Sequence, residues 1–330
     1  MGTPTLQPAI RSLPAIRFLP LSQWEEQRPV ALVTSGPAWK AVQGWLHLPV
    51  AWRVEPRQAT LPHWQEMLEG LQGEVVYAVG GGLAADAAKF LAAQRDLPLI
   101  CVPTALSVDA FFTWASGIRE GGCVRYVETR SPDLLVMDLD VIAAAPPSLR
   151  AAGICDVLSI ATGLWDWRFA EEEGHNPPEM AYAEWVAGVA RGILQGALDC
   201  AEAAGAGDPD GLLSLVQCLA LEVLLCNLVG HSRPEEGSEH YFAYAVENEV
   251  GPGRTHAELV GPGILLMAER QGQDVAPLRR ALQACRIPLD AIPQEVVERT
   301  LERLPEYVAR HDLPYGIAHA LGTAGAHGTG

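Results

Sequence analysis

The sequence predicts an α/β fold, with a parallel-sheet domain over residues 1–147 followed by an all-helical domain over 148–330. Three observations carry this expectation. Short apolar runs alternate with helical stretches in the first half, strand signals nearly vanish past Pro146-Pro147, and long helical patterns fill the remainder. Strand, glycine turn, helix, strand is the order of a βαβ unit and hence of a parallel sheet.

Taken in order, Val30–Thr34 is a β-type run that stops at Ser35-Gly36. Val75–Val79 is a second, running directly into Gly80-Gly81-Gly82. Ala84–Gln94 reads as a helix, Leu99–Val102 as the next strand, and Leu134–Met137 as a further strand ending at Asp138. Beyond the proline pair, helical patterns cover Arg150–Glu173, Pro178–Ala204, Gly211–His231, Glu239–Asn248, His256–Gln271 and Ala276–Cys285. The tail Gly322–Gly330, rich in Gly, Ala and Thr, reads as a frayed end.

Composition narrows the function classes. Of 330 residues 49% are hydrophobic and 19% charged, so a packed core is expected. The net charge of −17 argues against a broad nucleic-acid or anionic-membrane surface. Only Lys40 and Lys89 are lysines; every other basic residue is arginine, which handicaps any chemistry needing several lysines. The seven cysteines are odd in number, irregularly spaced and without a CxxC pair, as expected of free thiols in a reducing compartment. The N-terminal stretch shows no apolar secretory core, and no run reaches about 18 uninterrupted apolar residues. A soluble cytoplasmic chain with no membrane span and no nucleic-acid partner is expected.

Two constellations carry chemistry. Three glycines between strand and helix let backbone N–H groups approach a ligand, and the helix N-terminus adds partial positive charge, which suits a pyrophosphate. The run is neither GxGxxG nor a P-loop, and a plain tight βα turn fits the glycines equally well. Asp86 and Lys89 follow on the first turns of the helix; one of only two lysines falling here tilts the reading towards function. In the second half, Asp156 is a charge inside the apolar segment Ala151–Ser159, His240 opens a helix, and His256 follows the Gly251-Pro-Gly253 loop. Two imidazoles and a carboxylate from separate helices can meet in a cleft and leave coordination positions open. Their spacing is no local ligand motif, so spacing alone fits ordinary histidines better.

Together these segments resemble the glycerol-1-phosphate dehydrogenase family, within the larger group of glycerol dehydrogenase, iron-containing alcohol dehydrogenases and 3-dehydroquinate synthase. The resemblance rests on Gly80–Lys89, Val102–Ala110, Gly153–Ser159, Ser232–His240 and Thr255–Gly261, in the family's order. It implies a Rossmann-like first domain and an active site in the cleft between the two domains. It further implies that Gly80, Gly81 and Gly82 form the cofactor pyrophosphate turn, with Asp86 close to the nicotinamide end. Thr104 and Ser107 would be cofactor contacts, Asp109 would face substrate hydroxyls, and Asp156, His240 and His256 would hold the metal. The implied cofactors are NAD or NADP and a divalent metal, zinc first, with nickel or iron also suited to the donor set. The implied reaction interconverts dihydroxyacetone phosphate and sn-glycerol 1-phosphate, or a similar polyol phosphate, in a homo-oligomer.

The chain departs from the family pattern in three places. His256-Ala257-Glu258 stands where His-Gly-Glu is usual, and Phe242-Ala243-Tyr244 where Phe-Ser-His is usual. Glu235-Glu236 replaces small residues. Two added carboxylates disfavour a phosphorylated substrate unless they point away. A phosphate would have to rely on arginines such as Arg119, Arg168, Arg233 or Arg254. Alternatives are a glycerol dehydrogenase acting without phosphate, a dehydroquinate-synthase-like cyclase, and a binding protein that has lost turnover. The cyclase is disfavoured by the scarcity of lysine and by Asp156 and Ser159 where that chemistry uses Glu and Lys. Glu55, near an expected adenosine ribose, favours NAD over NADP.

Overall fold

Eight strands lie in the first half of the computed structural model, which describes residues 11–321. The elements run β1 (Ala15–Phe18), β2 (Val30–Thr34), α1 (Gly36–Val42), β3 (Val50–Val54), α2 (Leu61–Leu68), β4 (Val75–Gly80), α3 (Gly82–Arg95) and β5 (Leu99–Pro103). A hairpin, β6 (Ala115–Glu120) and β7 (Cys123–Glu128), precedes β8 (Leu134–Met137), α4 (Leu139–Ala143) and α5 (Pro147–Arg150). Then come α6 (Ile154–Glu172), α7 (Glu184–Ala206), α8 (Pro209–Val229), α9 (Ser238–Val250) and α10 (His256–Arg270). The last are α11 (Ala276–Ala284), α12 (Gln294–Arg310) and α13 (Ile317–Ala320). The tail at 322–330 lies outside the described residues.

Six strands form one sheet in the order β1-β8-β5-β4-β2-β3, every neighbouring pair parallel. The fold class is therefore as expected: a parallel sheet first, and only helices after Met137 among the described residues. Alternation along each central strand separates two cores. Val30 and Leu32, Val75, Tyr77 and Val79, and Ile100 and Val102 face one side. Ala31, Val33, Val76, Ala78, Leu99 and Cys101 face the other, whose core continues into the helical half. This is the period-two geometry of a strand buried on both faces.

The sheet order also locates a crevice. Strand β2 pairs with β3 on one side and β4 on the other, so growth of the sheet reverses between β2 and β4. The loops leaving these two strands, Ser35-Gly36 and Gly80–Gly82, diverge there, and ligands of open α/β sheets bind at such switch points.

In the helical half, α6 is buried over most of its length and packs against α7, α10, α8 and α9. At Gly263 a Cβ would lie 2.7 Å from the Glu239 carbonyl oxygen, so the small residue lets α10 cross α9 closely. That crossing sets the relative position of His240 and His256. Helix α8 is long and apolar enough to cross a membrane by length and composition, but half of that stretch is buried inside this fold. It packs along α7 and carries the buried Glu222. Trp185, Val189, Leu221, Leu224 and Leu228 leave an exposed apolar stripe on α7 and α8.

Several elements differ from expectation. The stretch expected as one helix over Arg150–Glu173 is split by a turn at 151–153, and the helix expected from Pro178 begins at Glu184. Strands β1 and β3, the β6–β7 hairpin and α12 were not anticipated. Strand β3 is an edge strand with an exposed, mixed sequence, and Pro305 interrupts the otherwise amphipathic α12.

Candidate active site

Both constellations open onto one cleft of about 1900 Å³, lined by the glycine turn, the loop at 104–110 and the starts of α9 and α10. On the sheet side, Gly80 ends β4 at φ +144°, a backbone region that favours glycine. Gly81 then caps α3 without any side-chain partner for the free amides. A Cβ on Gly82 would lie 2.7 Å from Val108 Cγ2, so the turn nests against the Ser107–Val108 loop only because a side chain is missing. Ser107 Oγ, buried beside this turn, has no hydrogen-bond partner within the protein. Thr104 is held by its own amide, which donates to Gly80 O at 3.2 Å. An unpartnered hydroxyl beside bare amides fits a pyrophosphate-bearing group. Glu55 stands at the neighbouring turn, where its carboxylate accepts from Gly36 N at 3.1 Å.

Asp86 and Lys89 form an ion pair at 2.8 Å, but Lys89 is not available to a ligand. Its side chain is fully buried, and Nζ donates to Ala110 O at 3.0 Å, to Thr113 Oγ1 at 2.8 Å and to Ala115 O. The functional reading of this lysine is therefore corrected to a positioning one. It braces α3 against the loop that carries Asp109. Asp86 keeps one oxygen for Gly117 N at 3.3 Å and lines the cleft.

Across the cleft, one ligating atom each from Asp156, His240 and His256 lie within 4.8 Å of one another. Asp156 enters in the first turn of α6, and its Oδ2 accepts the Asp109 amide at 2.8 Å. Its Oδ1 lies 2.8 Å from His256 Nε2. His256 is the first residue of α10, fixed by a capping box in which Thr255 and Glu258 satisfy each other's backbone N–H. Glu258 therefore holds the helix start, and the neighbouring Ala257 is buried. His240 Nδ1 lies 2.9 Å from Glu239 Oε1, which also accepts Gly237 N at 2.7 Å. That contact leaves Nε2 for the cleft. Burial works against a charge on His240, but the Glu239 hydrogen bond and the Glu236 and Asp156 carboxylates outweigh it and raise its pKa to about 9. One carboxylate and two imidazoles, one imidazole backed by a carboxylate, suit a divalent metal with open positions.

A carboxylate orienting a ligating histidine fixes its tautomer and basicity. Glu239→Gln is expected to weaken divalent metal binding about 10–100-fold, read by competition with a chelating dye. Unchanged affinity would show that Glu239 serves folding alone.

Glu235 and Glu236 do not point away: both line the cleft. Glu236 accepts Tyr244 OH at 2.7 Å and Ser232 Oγ at 3.1 Å, and Tyr126 OH lies 3.1 Å from Tyr244 OH. Of the arginines named above, Arg168 pairs with Glu172 on the exposed face of α6. Arg233 is buried and donates to Tyr315 O at 2.8 Å. Arg119 and Arg254 do reach the cleft, but Arg119 is paired with Glu247 and Arg254 donates to Ala291 O. Burial and the Asp156 charge push the Asp109 carboxyl up to about 8. Burial likewise raises Glu222 and Glu235 well above the ordinary carboxyl range, each raised further by neighbouring carboxylates. Glu222 and Glu239 are site neighbours that the sequence reading missed.

A glycine turn at a sheet switch point facing an Asp–His–His cluster defines the class: metal-dependent, nicotinamide-linked dehydrogenases acting on a CH–OH group. Residues 26–146 match the family model described as iron-containing alcohol dehydrogenase. A glycerol-1-phosphate dehydrogenase [NAD(P)+] of Methanothrix thermoacetophila is 30% identical over 286 residues, covering 82% of this chain and 79% of that protein. The Sulfurisphaera tokodaii protein of the same name is 30% identical over 72% of this chain and 68% of its own length. The solved glycerol dehydrogenase from Schizosaccharomyces pombe superposes with TM-score 0.65 at 19% identity, covering 89% of this chain and 78% of the other. The chain belongs to the glycerol-1-phosphate dehydrogenase family.

Proposed function

We propose that the chain interconverts a small polyol and its ketone by hydride transfer with NAD(P), using a divalent metal held by Asp156, His240 and His256. The supporting observation is the approach of those three ligating atoms to within 4.8 Å in the cleft that the glycine turn also lines. When bound, the nicotinamide supplies or accepts the hydride and the metal polarises the reacting oxygen. The chain's own residues bind and orient. Gly80, Gly81 and Gly82 receive the pyrophosphate with Thr104 and Ser107, and Asp86 borders the nicotinamide end. Asp109 holds a substrate hydroxyl. Zinc is the proposed metal, and Glu55 supports NAD through repulsion of a 2′-phosphate. We place the division between sheet and helical domains at residues 147/148.

The relatives' name points to dihydroxyacetone phosphate and sn-glycerol 1-phosphate. The Glu236 carboxylate in the cleft, with Arg119 paired to Glu247 and Arg254 donating to Ala291 O, favours the unphosphorylated substrate. Neither lysine lines the cleft, which leaves the cyclase reading without its cations. Oxidation of NADH and NADPH should be followed with dihydroxyacetone and with its phosphate. The expected result is turnover of dihydroxyacetone, with kcat/KM for the phosphate at least about tenfold lower. The opposite ranking would establish the phosphorylated substrate, and no oxidation with either would remove the dehydrogenase reading.

A further inference from the structure

We propose that Asp109, Glu222 and Glu235 form a subsite for a substrate's ammonium group, so that the preferred alcohol is a small amino polyol. The inference rests on the reading of the cleft as a dehydrogenase site. Its starting point is a triad that the metal cluster does not use: one carboxylate oxygen from each of the three residues lies within 4.8 Å of the others. Asp109 and Glu235 line the cleft. Glu222 reaches in behind them from α8; it is 1% exposed, and neither of its oxygens has a partner. Glu235 Oε2 is buried and equally unpartnered.

Buried carboxylates are ordinarily paired or richly hydrogen-bonded, because an isolated buried charge is costly. Among the described residues, none of the three makes an ion pair with Lys, Arg or His. The one lysine near Asp109, Lys89, is committed to Asp86 and to the loop at 110–115. The triad thus lacks the positive group that would let its three acids stand ionised together.

An alkylammonium matches in number and shape. It carries three N–H donors, one for each carboxylate. With charge-assisted N–H···O distances of about 2.8 Å and tetrahedral directions, the acceptors stand about 4.6 Å apart. The position is also right for a substrate. Asp109 N donates to Asp156 Oδ2 at 2.8 Å, so the subsite adjoins the proposed metal ligands and one small molecule can span both. A hydroxyl would sit at the metal and the amine at the triad, where Asp109 takes an N–H donor with one carboxyl oxygen and leaves the other for a substrate hydroxyl.

The test compares 3-amino-1,2-propanediol, glycerol and sn-glycerol 1-phosphate as substrates of the metal-loaded enzyme with NAD⁺. Calorimetry of the amino diol and glycerol on the NADH-loaded protein runs in parallel. The expected kcat/KM for the amino diol is at least about tenfold above glycerol, with the phosphate weakest. In Glu222→Gln and Glu235→Gln, each a neutral near-isostere, that ratio should collapse towards one, and calorimetry should lose the same factor. Glycerol or its phosphate preferred over the amino diol would overturn the subsite while leaving the dehydrogenase reading standing. An unchanged ratio in both Gln variants would overturn it too. If no alcohol is oxidised, but the amino diol binds and Glu222→Gln abolishes binding, the subsite holds and the hydride reading fails. If the amino diol does not bind, the subsite fails. A second divalent ion per chain, lost in Glu222→Gln, would assign the triad to a metal and overturn the ammonium reading.

Discussion

His240→Ala is expected to lower kcat/KM by at least about a thousandfold, with the fold retained. The proposal gives this imidazole to the metal, and a metal stabilising the reacting oxygen contributes several kcal/mol at the transition state. The side chain is nearly buried, but it stands at the cleft lining rather than in the continuous apolar core. Its loss should therefore leave the folded circular-dichroism spectrum and a cooperative thermal transition. Elemental analysis should show the bound metal falling with activity. His256→Ala should behave alike, because its Nε2 faces the same Asp156 carboxylate at 2.8 Å. Retained turnover in a folded His240→Ala protein would remove the metal assignment.

The parts of the fold that were legible in the sequence are those where burial is symmetric. Strands β2, β4 and β5 are fully buried, so they read as unbroken apolar runs. The exposed edge strand β3 and the four-residue β1 bury too little to leave such a trace. At the site, no spacing rule joins Asp156 to histidines on α9 and α10; only the resemblance did. What brings them together is the close crossing at Gly263, a tertiary contact with no local signature. Glu222 was legible on the same ground as Asp156, since each stands inside an apolar stretch of its helix. Lys89 misled for the opposite reason. Its rarity and its position in the glycine motif marked it as functional, yet its charge is spent on Asp86, Thr113 and backbone carbonyls.

Asp166→Ala is expected to cost about 3–5 kcal/mol of folding stability, the largest loss for any single truncation proposed here. Asp166 is fully buried in α6, and its carboxylate collects donors from three other segments. Oδ2 accepts Ser238 N at 2.7 Å and Ser238 Oγ at 2.5 Å, while Oδ1 accepts Ile317 N at 2.8 Å and Gln271 Nε2 at 3.0 Å. Gly237 begins α9 without a capping side chain, so Asp166 supplies the missing acceptor and a negative charge at that helix N-terminus. Removing it strands buried donors two residues before His240. Metal affinity should then fall together with stability, whereas His240→Ala should lose metal without a comparable stability loss. The pH dependence provides a separate reading. Burial raises the Asp166 pKa from 3.8 to about 6, against the opposing pull of the Ser238 and Ile317 hydrogen bonds. The folded state therefore binds this proton more tightly than the unfolded chain. Its contribution, of order 3 kcal/mol, is fully present below about pH 4, declines as pH rises towards 6, and is flat above that. Urea unfolding between pH 4 and pH 8 should show a steeper decline in the parent chain than in Asp166→Asn, by this amount. An identical slope in both would assign the pH dependence to other groups and leave Asp166 only its role in hydrogen bonding.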